Sequence, residues 1–310
     1  MKNQVINRRG QENFNDSIHN HYYNNIKYSI KSLFSYPREL ILIQKYIKDL
    51  FNYSKYGENR KALLIGNGPS QINIKSFDFN ELKKNKISIF TMNQFFYNQY
   101  FQKNKPTDYI VSDFLSFKIR NIENISEKFR SDIESNYAKR IKYLNESPEI
   151  NLHVPAMLVK EIQNLNLKNK IIPFINSRFF FHSNTNPLLP SNFMPQTFLF
   201  LLRNVIYANF KKIYLIGFDY DYFKNLYLDN ENSCWTLEKH SHEKDRFIQN
   251  PSDSKIDFAL FEQSRIFYQI KMNFKKHNNK ILNLNKYSMI DAFKKTNYEP
   301  YELSNSNILD

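Results

Sequence analysis

Leu63-Leu64-Ile65-Gly66-Asn67-Gly68-Pro69-Ser70 constrains the fold more than any other stretch of this chain. An uncharged apolar run that stops at two glycines and a proline is the pattern of a strand buried on both faces and released into a tight turn. Gly66 and Gly68 admit positive φ and close backbone approach. Pro69 pre-sets φ for a turn or a first helical position, with the Ser70 hydroxyl beside it. Two uses of such a turn stand open: a structural strand-to-loop connection, or a phosphate site built from backbone N–H groups. It has neither the third glycine of a dinucleotide fingerprint nor the Gly-Lys-Ser/Thr of a Walker loop. Neither NAD nor ATP is favoured.

Similar runs recur along the chain with helical periodicity between them. Strands are expected at 61–66, 87–92, 108–112 and 212–217, at Leu152–Val154 and Lys170–Phe174, and at 280–284. Between them lie a charged helical region at 119–144, a helix with Met157, Leu158, Ile162 and Leu165 on one face, a buried helix over Thr197–Asn209, and an amphipathic helix at 256–275. The alternation predicts an α/β fold with a doubly wound, mostly parallel Rossmann-like sheet. Ligands of such sheets sit outside the carboxyl ends of the strands, at the topological switch point. That rule gathers Asn67–Ser70, Asn93–Gln94, Asp113 and Gly217–Asp219 around one crevice. For Asp219 the structural alternative is a strand-end cap.

The first 57 residues stand apart from this pattern. Residues 1–20 read as a mobile arm, and 22–56 as helical with an interruption near Pro37. Leu40, Ile41, Ile43, Tyr46, Ile47, Leu50 and Phe51 recur at helical steps. Such a segment packs on the core, pairs with a second copy, or lies on a membrane with Lys27, Lys31, Arg38 and Lys45 toward phospholipid; packing is the favoured use. Residues 58–297 are expected to form the catalytic domain and 298–310 a tail.

The formal charge of +14 calls for an acidic partner: small phosphorylated or carboxylated substrates or an anionic membrane surface. Nucleic acid is not expected, because the basic residues are scattered and no recognition motif is visible. The single cysteine, Cys234, excludes an intramolecular disulfide framework and a cysteine-rich zinc site. No run approaches ~20 apolar residues, and the polar amino terminus lacks a signal-peptide core. The expected compartment is the cytoplasm, with a peripheral position on the inner face of the membrane as the alternative.

The glycine turn also resembles the donor-binding turn of bacterial sialyltransferases of glycosyltransferase family 42. It is equally similar to a wider set of bacterial surface-glycan proteins annotated by likeness to a pterin diphosphokinase. Phe90-Thr91-Met92-Asn93-Gln94-Phe95-Phe96, Asp108-Tyr109-Ile110-Val111-Ser112-Asp113 and Lys212-Ile213-Tyr214-Leu215-Ile216-Gly217-Phe218-Asp219 follow in the family's order. The resemblance covers about residues 58–297 and implies a GT-A-like variant of the fold with an inserted lid at about 220–255. It implies an inverting, metal-independent transfer of sialic acid or another nonulosonic acid from a CMP-linked donor. The acceptor would be a glycan or glycolipid such as lipooligosaccharide or capsule, with no cofactor beyond the donor.

Roles follow from that resemblance. Gly66, Asn67, Gly68 and Ser70 would hold the donor phosphate or its ribose neighbourhood. Asn93 and Gln94 would meet a sugar carboxylate or a base edge, and Asp113 and Asp219 the ribose hydroxyls. Thr197, with Gln196, stands where the family has small hydroxyl residues, although Pro195 and Phe198 depart from its pattern. The lid would supply the general base from Glu238-Lys239-His240-Ser241-His242-Glu243-Lys244-Asp245. The sialyltransferases' His-Ser pair points to His240; the wider family's pattern points to His242 with Asp245 and Phe247. Tyr227 would steady the departing phosphate, while Asp221 replaces the family's second tyrosine and leaves Arg178 or Arg246 to take over. No metal is expected, although His240, His242 and Asp245 are a chelating alternative. Two other functions compete: a metal-dependent diphosphokinase using Asp219 and Asp221, and a non-catalytic accessory protein of glycan assembly. A homo-oligomer is compatible with each.

Overall fold

A computed structural model describes residues 14–93, 95–97, 99–113, 117, 127–177, 185–191, 196–219 and 254–296. Eight strands form one sheet: β1 Lys61–Ile65, β2 Ile87–Met92, β3 Asp108–Ile110, β4 Asn151–Pro155, β5 Ile171–Phe174, β6 Lys212–Ile216, β7 Ile281–Asn283 and β8 Lys294–Lys295. Their order is β5-β4-β3-β2-β1-β6-β7-β8, and every neighbouring pair is parallel. The chain winds outward from β1 to β5, then returns beside β1 with β6 and winds the other way. This is the doubly wound α/β architecture, and its switch point lies between β1 and β6.

Side-chain alternation divides the strands between two cores. Ala62, Leu64, Phe90, Met92, Ile213 and Leu215 face one layer, which includes the buried residues of helices α2 (Ile47–Tyr53), α7 (Thr197–Tyr207) and α8 (Ser254–Phe274). Leu63, Ile65, Ile87, Ile89, Tyr214 and Ile216 face the other, covered by α3 (Phe79–Lys84), α4 (Gln99–Lys103), α5 (Glu127–Asn145) and α6 (Val159–Asn164). With both faces covered, the central strands carry apolar runs instead of an apolar–polar alternation.

Two features of the chain, its first helix and the edge strand β8, differ from expectation. Helix α1 runs unbroken from Phe14 to Ile43 through Pro37, and so includes part of the expected arm. Pro37 withholds one N–H from the turn before it, on a side where Pro37 and Leu33 are exposed and water can hydrate the released carbonyl. The expected charged helix is described over Glu127–Asn145, and 118–126 lie outside the described residues. The edge strand β8 is two lysines long and has no apolar run to announce it.

Helix α1 docks on the segment that follows β5. Glu39, 2% exposed, accepts hydrogen bonds from the amides of Asn176 (3.2 Å) and Ser177 (3.1 Å), and Ser35 meets the Ser177 hydroxyl at 2.7 Å. From the other side Arg203 of α7, fully buried, donates to the carbonyls of Ile175 (3.2 Å), Asn186 (2.6 Å) and Leu189. Burial pushes the Arg203 pKa down to about 9, partly offset by Glu39, so it stays charged at neutral pH. Burial likewise raises the Glu39 pKa, against the two amides and Arg203.

Candidate functional site

Ile65 pairs with Ile216 in the sheet register, so the turns after β1 and β6 leave the switch point side by side. They are tied together. The Gly66 amide donates to Ile216 O (2.8 Å) and the Gly68 amide to Gly217 O (2.7 Å); the Gly217 amide donates to Ser70 Oγ (2.9 Å). Gly217 has φ +74°, and a Cβ on it would overlap the Gly66 carbonyl; a Cβ on Gly66 would overlap the Gly217 carbonyl. Glycine is required here by contact between backbones, not by a ligand.

A 3₁₀ helix, Pro69–Ser76, starts at this turn with Gly68 as its N-cap. Gly68 has no side chain to cap it, and Asp219 does so from the neighbouring turn. Asp219 Oδ2 accepts from the Ser70 amide (2.9 Å), and Oδ1 accepts from Asn285 Nδ2. Met289 N donates to Asp219 O (3.0 Å), and Ser288 Oγ to Phe218 O (2.7 Å). Asp219 is 3% exposed. The anion that a helix amino terminus attracts is therefore a carboxylate of the protein itself. This bears on two readings that the sequence leaves open. The amides of Gly68, Ser70 and Gln71 are already donated within the protein. Asp219 is a clamp between turns, the strand-end role, with both carboxylate oxygens bonded within the protein.

The neighbouring edge is built differently. Register pairs Met92 with Ile110, so Asn93 and Ser112 leave adjacent strands within a residue of each other. Asn93 sits in the left-handed region (φ +56°), a conformation asparagine tolerates better than other non-glycine residues. Its backbone is pinned: its amide donates to Ile110 O (3.3 Å), and Tyr109 OH donates to its carbonyl (2.5 Å). Arg140 of α5 in turn donates to the Tyr109 hydroxyl (2.9 Å) and lies over the rings of Phe96 and Phe117. Ser112 Oγ meets Thr197 Oγ1 at 2.6 Å, joining the end of β3 to the first residue of α7. Asn67, Ser70, Asn93, Ser112, Gln196 and Thr197 are half-buried, and Asp113 is exposed. The rim thus offers hydroxyl and amide groups that donate and accept, with one carboxylate at its outer side.

Of the residues singled out in the sequence, Gly66, Asn67, Gly68, Ser70, Asn93, Asp113, Thr197, Gly217 and Asp219 lie along this carboxyl edge of the sheet. Gln94, Arg178, Tyr227, His240, His242 and Arg246 lie outside the described residues, as do Asp221 and Asp245. The supports that sequence reasoning missed are Asn285, Tyr109, Arg140 and the Ser112–Thr197 pair. His153 is the satisfied core residue expected: it is 1% exposed, with Nε2 3.0 Å from Asp108 Oδ1 and Nδ1 3.3 Å from Asn204 Nδ2. Asp108 opens β3, so it lies at the strand end opposite the crevice.

No protein-family model, curated protein or solved structure matches the chain.

Proposed function

We propose that this chain is a glycosyltransferase that takes a nucleotide-linked sugar, in first place a nonulosonic acid on cytidine monophosphate, and passes it to a bacterial surface glycan. The single observation carrying this reading is the polar rim at the carboxyl edge of a doubly wound parallel sheet, beside its switch point. Asn93, Ser112 and Thr197 are assigned to the nucleoside and sugar, Asp113 to ribose hydroxyls and Asn67 to the phosphate side. Gly66, Gly68, Ser70, Gly217 and Asp219 act as positioning residues that hold the rim's floor. The segment around 220–253 supplies the chemistry. His242 or His240 takes the proton of the acceptor hydroxyl as its oxygen bonds to the anomeric carbon, and the nucleotide leaves with the electrons of the old glycosidic bond, steadied by Tyr227.

A test needs no acceptor. A ligand that binds only the folded state stabilises it by about RT ln(1 + [L]/Kd), ~2.7 kcal/mol at a hundredfold excess over Kd. Cytidine monophosphate is expected to raise the melting temperature equally with magnesium and with EDTA. A shift that needs magnesium and a triphosphate would replace the transferase with a diphosphokinase. The buried, doubly bonded carboxylate of Asp219 argues against that alternative, which needs the same group for a metal.

One observation favours a second reading. The switch-point amides are bonded within the protein, as in a fold kept for assembly instead of turnover. On that accessory-protein reading no nucleotide stabilises the chain, and replacing both His240 and His242 leaves function intact.

A further inference from the structure

Helix α1 is inverted in character. Its inner side is partly polar: Ser32 and Glu39 are buried beside Ile43, and Ser35 and Glu39 carry the hydrogen bonds that dock it. Its outer side is apolar. At 100° per residue, Ile30, Leu33, Phe34, Pro37, Leu40 and Ile41 fall in one sector opposite Ser32, Glu39 and Ile43. Phe34 is 72% exposed and Ile41 70%. The stripe continues beyond α1 through Ile47 and Phe51, which are also exposed. Of the eleven large hydrophobic residues exposed among the described residues, seven lie between Ile30 and Phe51, so the apolar surface is concentrated on this one segment.

Charge on the segment has one sign. Lys27, Lys31 and Arg38 are exposed along one flank of the stripe, and Lys45 and Lys48 are exposed near its end. Between residues 17 and 48 the only acidic side chain is Glu39, which points into the protein. No helix among the described residues is long and apolar enough to cross a membrane. An amphipathic helix with an apolar stripe and a cationic flank has the pattern of one that lies in a lipid interface. A two-fold contact of this face with a second copy would instead bring two cationic flanks together with no acid between residues 17 and 48 except the buried Glu39 to offset them.

We propose that the outer face of α1 docks the protein on an anionic membrane surface, with Phe34 and Ile41 inserted at the headgroup boundary and Lys27, Lys31 and Arg38 on lipid phosphates. This goes beyond the glycosyltransferase reading and does not depend on it: the occupant is inferred from α1 alone and the readout is binding, not activity.

The full chain is sedimented with vesicles of phosphatidylcholine alone and of about three parts phosphatidylcholine to one part phosphatidylglycerol. Binding is expected only to the anionic vesicles, weakening with salt. Phe34→Glu with Ile41→Glu is expected to weaken it at least about tenfold, and Lys27→Gln and Lys31→Gln about fivefold each. The residues replaced are exposed, so the melting temperature should hold. Phe34→Trp gives an independent readout: its emission, read against the protein's own Trp235, shifts to the blue on anionic vesicles. Absence of vesicle binding, binding indifferent to the Phe34/Ile41 pair, or no shift in the Phe34→Trp variant overturns the proposal. A dimer that the Phe34/Ile41 variant dissociates, without vesicle binding by the parent, also overturns it and makes a second copy the occupant.

Discussion

Two stretches of the same sheet edge use polar groups in opposite ways. Between β1 and β6 the turns are closed on each other, with the Gly68, Ser70 and Gly217 amides and both Asp219 oxygens all bonded within the protein. One strand over, at β2, β3 and the start of α7, Asn93, Ser112 and Thr197 stand half-buried; Asn93 is held through its backbone by Tyr109, itself backed by Arg140, and the Ser112 and Thr197 hydroxyls meet each other. The switch point marks where a ligand approaches in such folds. Here the two turns are stitched to each other, and on the proposed function recognition falls to the residues beside them. If that function holds, the stitched part of the edge and its recognition surface are different residues, and substitutions should separate them.

The largest effect is expected from Gly217→Ala. It forces a left-handed φ on a residue with a Cβ and drives that Cβ into the Gly66 carbonyl, which is backbone and cannot move aside. Strain and overpacking together should cost about 3–4 kcal/mol in urea unfolding. Asp219→Ala comes next, at about 2–3 kcal/mol, because it strands the Ser70 amide and the Asn285 side chain without their acceptor. Gly68→Ala sharpens the point. Its Cβ overlaps Asp219 Oδ2, so the two substitutions should be non-additive by about 1 kcal/mol in a double-mutant cycle. If Asp219→Ala instead left stability unchanged and abolished nucleotide stabilisation, the floor would be a binding surface and the distinction would fail.

A smaller, pH-dependent effect belongs to the open side. Glu39 holds the start of the segment that runs from β5 toward Thr197, and its folded pKa is raised above the ordinary 4.5, first by burial. In that window the folded state holds more protons than the unfolded one, so stability is fully present below about 4.5 and declines as pH rises through the folded value. Glu39→Gln should flatten this slope and change stability near neutral pH by about 1 kcal/mol or less. A shallower loss of stability toward acid in the variant than in the parent would show that the carboxylate is instead favoured by its two amides and Arg203.

How much of this was legible depends on distance along the chain. Apolar runs bounded by turn residues placed β1 through β7 and pointed to a doubly wound parallel sheet, because a strand buried on both faces is a local signal. β8 was not legible, since Lys294-Lys295 on a sheet edge has no hydrophobic signature. Pro37 misled, because its cost depends on whether the freed carbonyl faces solvent, and only packing decides that. At the site, the glycines were legible as a turn but not in their purpose. Gly68 is shaped by Asp219, 151 positions away, and Asp219 is completed by Asn285 a further 66 away. Arg203 stands among the Phe and Leu residues of a helix expected to be buried, and nothing in the sequence announces that its guanidinium binds three carbonyls. Long-range polar pairing of this kind has no period and no motif.

The smallest stability effect, and the most informative one, is expected where Ser112 meets Thr197. Removing both hydroxyls, as Ser112→Ala with Thr197→Val, takes away donor and acceptor together and leaves shapes nearly unchanged, so unfolding should shift by less than about 1 kcal/mol. Either single substitution leaves a half-buried hydroxyl that water can satisfy, and should also cost little. Stabilisation by cytidine monophosphate should nonetheless shrink in all three variants, because each removes a group that donates and accepts at the rim. A loss of stability rivalling that of Asp219→Ala would mean that this pair is a second stitch, like the one at the switch point. Recognition would then fall to Asn93, Asn67 and Asp113, and Asn93→Gly would be the next substitution to measure: glycine keeps the left-handed φ, and the bonds that hold Asn93 run through its backbone amide and carbonyl, so its side chain can be removed without cutting a tie between elements.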